Sequence, residues 1–465
     1  MNTDSYEYRF SSYTISVDLE NTKDKVMLVH GYTGAIDIAN KTILSFLKSN
    51  KSLLKENAPF SDNTWNRLLS RGYITTKTKK EEHAYVARMA NAYHKRNKLF
   101  SSFIFIPSYD CNFRCRYCIE SQVSQMGQKW IKKSFTKEMV DKAYQAMEKI
   151  GPHIEFNVKQ ILLYGGEPLL KINKDIVQYI VEKGHPLKYK FKAITNGYDL
   201  EAFKDLLSPD LIYSLQITID GTKEWHDQRR IHFQDGRTFD KIIQNIGMAL
   251  EQGVEVIVRI NTDKNNLDSI PELKEIFAHL GYYKFEKLFS VYVGWLQETD
   301  LNPADESIQY MDFKELNQRL VEKKIDICHP SDMLYNNLYK TINAKKLLAL
   351  NSTGCSSQSG AYVFDPVGNI YSCLEIVGDT QYILGNYAND VIQWNENEVS
   401  KWHNMNISTM KRCSVCKYAF LCHGGCTIKR IKNDGYTQTC ESFPVMFKIA
   451  ANRAYNTYVL ASSDI

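Results

Sequence analysis

The chain of 465 residues is long enough for more than one hydrophobic core, and 43% of its residues are hydrophobic. Its net charge of +5 is small beside 58 basic and 53 acidic residues, and no Lys/Arg block of the kind that binds nucleic acid stands out. No apolar run approaches the length of a membrane helix, and the polar start Met1–Ser5 differs from a secretory signal. We expect a cytoplasmic protein of two or three domains that binds neither nucleic acid nor a membrane.

The first 96 residues contain no cysteine and combine β-rich with helical patterns. A turn at Gly31–Ala35 separates the β-rich part from two predicted helices, at Asp37–Lys48 and Asp62–Arg71. The β-rich stretches are Tyr8–Leu19 and Lys25–Val29. This order predicts a small N-terminal domain.

From about residue 97 to 315, short apolar runs alternate with amphipathic helical ones, which is typical of βα units around a parallel sheet. In barrels built from such units the chemistry lies at the carboxyl ends of the strands. The predicted strands are Phe103–Pro107, Gln160–Tyr164, Lys190–Thr195, Leu215–Ile219, Glu255–Ile260 and Leu288–Val293.

Eleven cysteines in a large chain without an export signal indicate metal ligands rather than disulfides. Cys111, Cys115 and Cys118 follow the first predicted strand with CxxxCxxC spacing, which can hold three irons of a four-iron cluster and leave the fourth iron open to a ligand. Taken alone, the triad could instead form a zinc knuckle or a disulfide knot.

With the aromatic Tyr117 before its last cysteine, the triad resembles the signature of the radical S-adenosylmethionine (AdoMet) superfamily. The resemblance implies an open, partial (β/α)6 barrel within an α/β fold and a catalytic 4Fe-4S cluster on the triad. It further implies AdoMet, which the cluster's electron cleaves to a 5'-deoxyadenosyl radical that removes a hydrogen atom from the substrate. An external one-electron reductant, such as flavodoxin or ferredoxin, would supply that electron.

Several motifs after the later strands are similar to AdoMet-binding positions of this superfamily. Gly165, Gly166 and Glu167 resemble its GGEP motif, whose backbone and glutamate hold the methionyl amino group. By itself Gly-Gly is usually a turn, as is Asn-Gly. Arg230 matches a carboxylate-binding position, as its planar fork permits. The other positions implied by the resemblance are Tyr117, Asn196, Thr218 and Arg259, with Asn261 beside the last.

The C-terminal cysteines resemble the seven-cysteine SPASM domain of peptide and sulfatase maturases. The resemblance assigns a fully coordinated outer 4Fe-4S cluster to Cys413, Cys416, Cys422 and Cys440, and an inner one to Cys355, Cys373 and Cys426. This gives three clusters in all, with zinc as the alternative for the Cys-x2-Cys pairs. The inner cluster's fourth ligand is either Cys328 or an open position for a substrate thiolate.

The N-terminal domain resembles the winged-helix-like recognition module of many peptide-modifying radical AdoMet enzymes. Such modules bind the leader segment of a precursor peptide by strand addition; a purely structural cap is the alternative. The predicted domains are therefore a recognition domain at 1–96, a radical AdoMet core at 97–315 and a SPASM domain at 316–465.

The resemblance implies a maturase that joins residues of a ribosomally made peptide by a thioether of the sactionine type or by a carbon–carbon bond. A peptide epimerase, with Cys328 as hydrogen donor, is an alternative. An anaerobic sulfatase-maturating enzyme, which makes formylglycine, is disfavoured because Leu374 stands where that family has an aspartate, with Glu375 next. A non-enzymatic electron carrier would need neither the GGEP-like turn nor Arg230.

Overall fold

The computed structural model describes residues 7–49, 51–120, 132–151, 159–297, 305–433, 435, 437 and 439–463. Contacts divide the chain into two compact units. The first unit comprises Met1–Asn97, Ser331–Gln358 and Asn404–Ile465, and the second comprises Lys98–Pro330 and Ser359–His403. Both units combine segments that are distant in sequence, whereas the prediction divides the chain into three consecutive domains.

The N-terminal part of the first unit is built on a three-stranded antiparallel sheet in the order β2-β3-β4. A short pair, β1 with β5, and three helices complete this part. The elements are β1 (Arg9–Phe10), β2 (Thr14–Asp18), β3 (Lys25–His30), β4 (Ile36–Asn40), α1 (Lys41–Ser49), α2 (Asp62–Ser70), β5 (Ile74–Thr75) and α3 (Lys79–Asn97).

The helix predicted at Asp37–Lys48 is wrong in its first part, because Ile36–Asn40 forms strand β4 and the helix begins at Lys41. The tight turn before β4, where Gly34 has φ +74°, returns the chain alongside β3, and sheet pairing then prevails over the helical pattern. The helix predicted at Asp62–Arg71 is confirmed as α2. The 19-residue helix α3 was not predicted.

The second unit contains a ten-stranded sheet in the order β11-β10-β9-β8-β7-β6-β12-β13-β14-β15. Each of the six predicted strands is present, and all six pair in parallel in chain order. This confirms a mixed α/β fold with a large parallel sheet. The six strands are β6 (Ser102–Phe105), β7 (Gln160–Leu163), β8 (Lys190–Thr195), β9 (Ile212–Thr218), β10 (Glu255–Thr262) and β11 (Phe289–Trp295).

Helices alternate with these strands, and the strands bury every second residue. In β10, for example, Val256, Val258 and Ile260 are fully buried, whereas Ile257 and Arg259 on the other face are partly exposed. The helices are α4 (Lys137–Ile150), α5 (Lys174–Gly184), α6 (Lys223–Arg229), α7 (Phe239–Glu251), α8 (Ile270–His279) and α9 (Phe313–Glu322).

A strand from the predicted C-terminal domain extends this sheet. β12 (Ala361–Phe364) pairs in parallel with β6, so β6 has a neighbour on both sides. The antiparallel strands β13 (Asn369–Tyr371), β14 (Gly385–Asn386) and β15 (Gln393–Trp394) follow. The Tyr109 hydroxyl donates a 2.7 Å hydrogen bond to buried Asp365, in the turn that follows β12.

Helices from the C-terminal part of the first unit pack on its N-terminal sheet. One core joins Ile15 and Val17 of β2 to Leu338, Phe447 and other buried residues of these helices. The helices are α10 (Asp332–Ala344), α12 (Ala419–Cys422), α13 (Thr427–Lys432) and α14 (Thr439–Ser463), while α11 (Glu396–His403) belongs to the second unit. Among the described residues, no helix is long and apolar enough to cross a membrane.

A buried carboxylate ties α3 to the N-terminal strands. Glu82 is fully buried and accepts hydrogen bonds from Arg9, Ser11 and the Ser12 backbone N–H, with Tyr32 donating a fourth at 3.1 Å. Burial alone would raise the pKa of Glu82, but the bonds from Ser11 and Arg9 outweigh it and the pKa lies below its usual value.

We predict that Glu82→Gln lowers the free energy of unfolding of α3 by about 2 kcal/mol at pH 7, because an amide cannot accept all four bonds. The ionised group stabilises the fold above the unfolded pKa of about 4.3, and this stabilisation is lost as the pH falls through the lower folded pKa. Hydrogen exchange of α3 peptides measures the effect, with the exposed Glu56→Gln as control. Equal exchange in both variants at pH 7 would contradict the prediction.

Candidate active site and cysteine array

The cysteine triad lies on the loop that follows β6, at the carboxyl end of the parallel strands. The backbone N–H of Phe113 donates to the Sγ of Cys111 at 3.4 Å, and the Arg114 N–H donates to the Ile231 carbonyl at 2.8 Å. Burial raises the pKa of Cys111 well above its usual range, and the nearby Cys115 and Glu167 add to the rise. A positive partner such as iron is needed to keep such a thiolate ionised.

The predicted Gly-Gly turn after β7 packs against the backbone that leads into this loop. A Cβ on Gly166 would lie 2.4 Å from the Asp110 carbonyl oxygen, and one on Gly165, where φ is +130°, would lie 2.7 Å from that of Ser108. The Glu167 N–H donates to the Asp110 carbonyl at 2.8 Å. Both glycines therefore serve a close approach of two backbone segments.

The carboxylate of Glu167 joins the ends of β7 and β8. It is almost fully buried and accepts hydrogen bonds from the Leu169 N–H at 2.9 Å, the Thr195 hydroxyl at 2.5 Å and the Asn196 N–H at 2.6 Å. Burial raises its pKa to about 7, although these donors favour the ionised form. Because it accepts hydrogen bonds from three protein donors, Glu167 holds the ends of β7 and β8 together.

Asn196 connects the end of β8 to the cysteine loop itself. Its side-chain amide donates to the Oδ1 of Asn112, the residue after Cys111, at 2.7 Å, and its own Oδ1 accepts from the Tyr198 N–H at 2.9 Å. Asn196 and Asn112 are both buried. The loop position is thus fixed by the end of β8 as well as by β7.

A buried network of charges holds the other end of the loop. The Tyr117 hydroxyl donates to Asp220, which is fully buried, and accepts from Arg230 at 2.9 Å. Arg229 pairs with Asp263 at 3.0 Å and lies over the Tyr117 ring. The Nε of Arg230 has no hydrogen-bond partner among the described residues, so this guanidinium retains donor capacity beside the cysteine loop.

Arg259 and Asn261 lie at the end of β10, and the Asn261 N–H joins them to the buried charge network by donating to Asp220 at 3.2 Å. Arg259 donates from Nε to the Oδ1 of Asn261 at 2.8 Å, and it lies against Gly294, whose added Cβ would be 2.4 Å from that Nε. Thr218 ends β9 opposite Arg259 and is buried. The structure therefore brings Glu167, Asn196 and Arg230 onto the cysteine loop, but not Arg259.

Sequence reasoning missed polar residues on the inner face of the sheet, which carries Arg259. The Tyr292 hydroxyl donates to the Oε1 of Gln216 at 2.9 Å, and Arg259 also bonds Tyr292. The nearby Tyr164 precedes the Gly-Gly turn, and its pKa is raised well above the usual value by burial first and then by Glu120, Cys118 and Glu375. Polar residues at every second position of otherwise apolar strands are the signal that could have identified this face.

Five C-terminal cysteines lie in the first unit around a run of left-handed backbone. His423, Gly424 and Gly425, between Cys422 and Cys426, have φ of 59°, 86° and 72°. The Gly424 N–H bonds the Cys422 thiol. The five are Cys413, Cys416, Cys422, Cys426 and Cys440.

Arg430 is a buried basic residue of this cysteine segment, and the sequence analysis does not predict its role. It donates to the carbonyls of Gly424 and Gly435, and its Nη2 lies 3.6 Å from the Sγ of Cys440. Burial raises the pKa of Cys413 to about 11, and the charge of Arg430 opposes the rise. The guanidinium thus links the loop carrying Gly424 to the start of α14.

The two cysteines assigned to the inner cluster with Cys426 belong to different units, since Cys355 lies in the first and Cys373 in the second. Cys328 also lies in the second unit, where its carbonyl accepts from the Val293 N–H at 2.8 Å beside β11. Its thiol contributes to the raised pKa of Tyr292. The inner ligand set, including Cys328, stays a prediction.

The donor chemistry of the cysteine segments is compatible with iron–sulfur clusters, and zinc stays the alternative for the Cys-x2-Cys pairs. Within the described ranges, no three His, Cys, Asp or Glu side chains are grouped closely enough to hold one metal ion. A structural zinc needs four ligands on one ion, whereas each thiolate of a four-iron cluster binds a separate iron. A buried guanidinium and N–H donors near the thiols also suit an anionic cluster.

Comparison with known families supports the prediction made from the cysteine triad. Residues 105–277 match the family model described as "Radical SAM superfamily". The match confirms a radical SAM domain over these residues, as the cysteine spacing predicted.

Similar proteins extend over most of the chain at low identity. The cysteine-type anaerobic sulfatase-maturating enzyme of Clostridium novyi (strain NT) is 23% identical over 391 residues, covering 78% of this chain and 97% of the relative. Fe-coproporphyrin III synthase of Methanosarcina barkeri (strain Fusaro / DSM 804) is 24% identical over 350 residues, covering 69% and 81%.

Two solved structures support the fold. Native anSMEcpe with bound AdoMet and Cp18Cys peptide has a TM-score of 0.51 at 17% identity, covering 79% of this chain and 99% of that one. Streptococcus suis SuiB bound to S-adenosylmethionine also has a TM-score of 0.51, at 15% identity, covering 93% and 99%. At these identities the similarity establishes the fold alone.

We predict that Tyr117→Phe weakens AdoMet binding about tenfold without unfolding the protein, because buried Asp220 and Arg230 each lose a partner. Isothermal titration of AdoMet into anaerobically reconstituted protein measures the affinity. Tyr310→Phe is a matched control, since Tyr310 packs in the same apolar cluster. An unchanged affinity in Tyr117→Phe would show that the network does not position Arg230 for the cofactor.

We predict that Arg430→Gln lowers iron content by one four-iron centre, since the loss of a donor to a metal ligand weakens metal binding. Iron and sulfide per chain, with electron paramagnetic resonance of the reduced protein, measure the outcome. Lys432→Gln on the same helix is the control. Full iron with an unaltered spectrum in Arg430→Gln would contradict a role for Arg430 at the outer cysteines.

Proposed function

We propose that the protein is a radical AdoMet maturase that forms a thioether or carbon–carbon crosslink in a ribosomally made precursor peptide. The observation that carries the proposal is the convergence of the β7, β8 and β9 ends on the Cys111–Cys118 loop. This convergence supports a rigid catalytic site at the carboxyl end of the sheet.

Cys111, Cys115 and Cys118 would hold the catalytic 4Fe-4S cluster. When bound, that cluster supplies the electron that cleaves AdoMet to a 5'-deoxyadenosyl radical. The free donor capacity of Arg230 suits the carboxylate of AdoMet, while Tyr117 and Asp220 keep the guanidinium in place. Glu167 would have only its remaining lone pairs to offer an amino group, because three protein donors already bind it.

The inner face of the sheet suits a peptide substrate. Gln216, Arg259 and Tyr292 offer hydrogen-bond donors and acceptors there, and all three are partly exposed. Polar groups of this kind can fix the amides of an extended peptide. In relatives of known structure, SuiB has been crystallised with the precursor peptide SuiA and anSMEcpe with the Cp18Cys peptide.

The N-terminal sheet suits a leader segment. β4 is an outer strand of the order β2-β3-β4, and among the described strands it pairs with β3 alone. An extended leader could add to such an edge through main-chain hydrogen bonds. The order of strands and helices in this part supports the recognition-module assignment.

A second candidate function is the maturation of an anaerobic sulfatase. The Clostridium novyi relative is named a cysteine-type anaerobic sulfatase-maturating enzyme. Leu374 stands where that family has an aspartate, but the next residue, Glu375, carries a carboxylate. The carboxylate of Glu375 lies near enough to raise the pKa of Tyr164, which precedes the Gly-Gly turn. The carboxylate of Glu375 thus lies one position after Leu374, where the sulfatase-maturase pattern has its aspartate.

The proposal predicts that the anaerobically reconstituted protein, reduced with dithionite, cleaves AdoMet to 5'-deoxyadenosine and that Cys115→Ala abolishes this cleavage. Liquid chromatography of the products measures it, with Lys314→Ala, at an exposed position of the second unit, as a control that retains cleavage. Cleavage that persists in Cys115→Ala would refute the catalytic triad.

Coexpression with each short peptide encoded beside the gene tests the substrate. Loss of two hydrogen atoms per site in the intact mass supports a crosslink, and thiol blocking distinguishes a thioether from a carbon–carbon bond. Deuterium uptake from solvent with no other mass change would indicate an epimerase. Formylglycine in a cysteine-containing sulfatase peptide, with no change in the encoded peptides, would establish the second candidate.

A further inference from the structure

The segment that carries the outer cysteines has a one-sided charge. Residues 404–433 contain no Asp or Glu, whereas the whole chain has nearly equal numbers of basic and acidic residues. The basic residues of this segment are Lys411, Arg412, Lys417, Lys429, Arg430 and Lys432. Arg430 is buried beside Cys440, whereas Lys411 and Arg412 are exposed and Lys417, Lys429 and Lys432 are partly exposed.

The structure places these cations beside the cysteines. Lys411 and Arg412 are exposed and directly precede Cys413, and Lys417 directly follows Cys416. On the other side, α13 is held at Cys440 by Arg430, whose Nη2 lies 3.6 Å from the Sγ. We call the five cations that are exposed or partly exposed the outer basic surface: Lys411, Arg412, Lys417, Lys429 and Lys432.

Helix α13 presents its two lysines on one face. Thr427, Ile428 and Arg430 are its buried residues, whereas Lys429 and Lys432 are partly exposed and three residues apart, and therefore neighbours on the helix surface. Helix α13 therefore has one buried face and one face that carries Lys429 and Lys432.

An exposed apolar residue lies within this charged surface. Val415, between Cys413 and Cys416, exposes 56% of its area, although it belongs to a short helical turn whose Cys413 is buried. A small apolar contact surrounded by cations suits a transient protein complex, because charge steers the encounter and the contact area is small enough to release.

We propose that the outer basic surface is the docking site of an acidic one-electron carrier protein of the flavodoxin class. This inference rests on the proposed function, which requires an external reductant. A carrier has to bring its flavin close to the cysteine-held irons, whereas a peptide has no such requirement. The coincidence of the charge with the cysteine loop therefore favours a carrier over an acidic peptide.

The reaction in the complex is a single electron transfer. The anionic flavin hydroquinone of the carrier gives up one electron and becomes the neutral semiquinone, and the enzyme is reduced by that electron. No proton is exchanged and no bond forms between the proteins. Association is governed by charge, so its rate and affinity fall with ionic strength.

The test is the binding of a flavodoxin, held as its semiquinone, to the anaerobically reconstituted full chain by biolayer interferometry. At low salt we expect Lys411→Glu/Lys432→Glu to bind roughly tenfold or more weakly than the wild type, and Lys411→Arg/Lys432→Arg to bind as the wild type does. Lys287→Glu/Lys314→Glu is the matched control, because both lysines are exposed, belong to the second unit and change the net charge equally.

AdoMet cleavage separates docking from catalysis. Flavodoxin-driven cleavage falls in Lys411→Glu/Lys432→Glu, whereas dithionite-driven cleavage stays at the wild-type rate, which also shows that the variant folds. The docking site is refuted if this variant binds flavodoxin as tightly as the wild type, or if the control variant loses as much affinity. Absence of dithionite-driven cleavage in the wild type would instead refute the proposed function, and the binding assay would still test the surface.

Discussion

The active site depends on the way buried polar groups hold the cysteine loop at the end of β6. A loop of this length has many conformations, and fixing one of them carries an entropic cost that local contacts must offset. The Glu167 N–H after β7, the Asn196 amide after β8, and Asp220 and Arg230 after β9 make hydrogen bonds to this loop or to the residue before it. Because these groups are buried, each bond is hard to replace with water, so the position of the thiols is set by the whole sheet.

The same arrangement gives the site two electrostatic halves. Beside Cys111 lies the carboxylate of Glu167, whose pKa burial raises to about 7, while beside Cys115 lies the Arg230 guanidinium, which is hydrogen-bonded to the Tyr117 hydroxyl and lies near Asp220. A zwitterionic ligand such as an amino acid moiety has an amino group and a carboxylate to place. The polarity of the loop surroundings therefore matches the polarity of the predicted cofactor.

Sequence patterns predicted the parallel strands and the motifs that follow them, because both depend on short-range order: alternating burial, glycine at turns and cysteine spacing. They failed where pairing between distant segments decides the structure. The local pattern at Ile36–Asn40 predicts a helix because it does not show the pairing of β4 with β3. Local patterns likewise do not predict β12, because the neighbouring strand β6 lies far away in the chain. Arg430 and Tyr292 belong to no sequence motif, so their contacts with Cys440 and Gln216 are visible only in the folded chain.

The addition of β12 to β6 also has a consequence for how the protein is made. During synthesis β6 emerges early, yet its second neighbour does not leave the ribosome until residues 361–364 are translated. Until then one edge of the central strand, the one that carries the cysteine loop, has unpaired N–H and C=O groups that can pair with other chains. Until β12 pairs, the strand that leads into the cysteine loop is supported by the sheet on one side only.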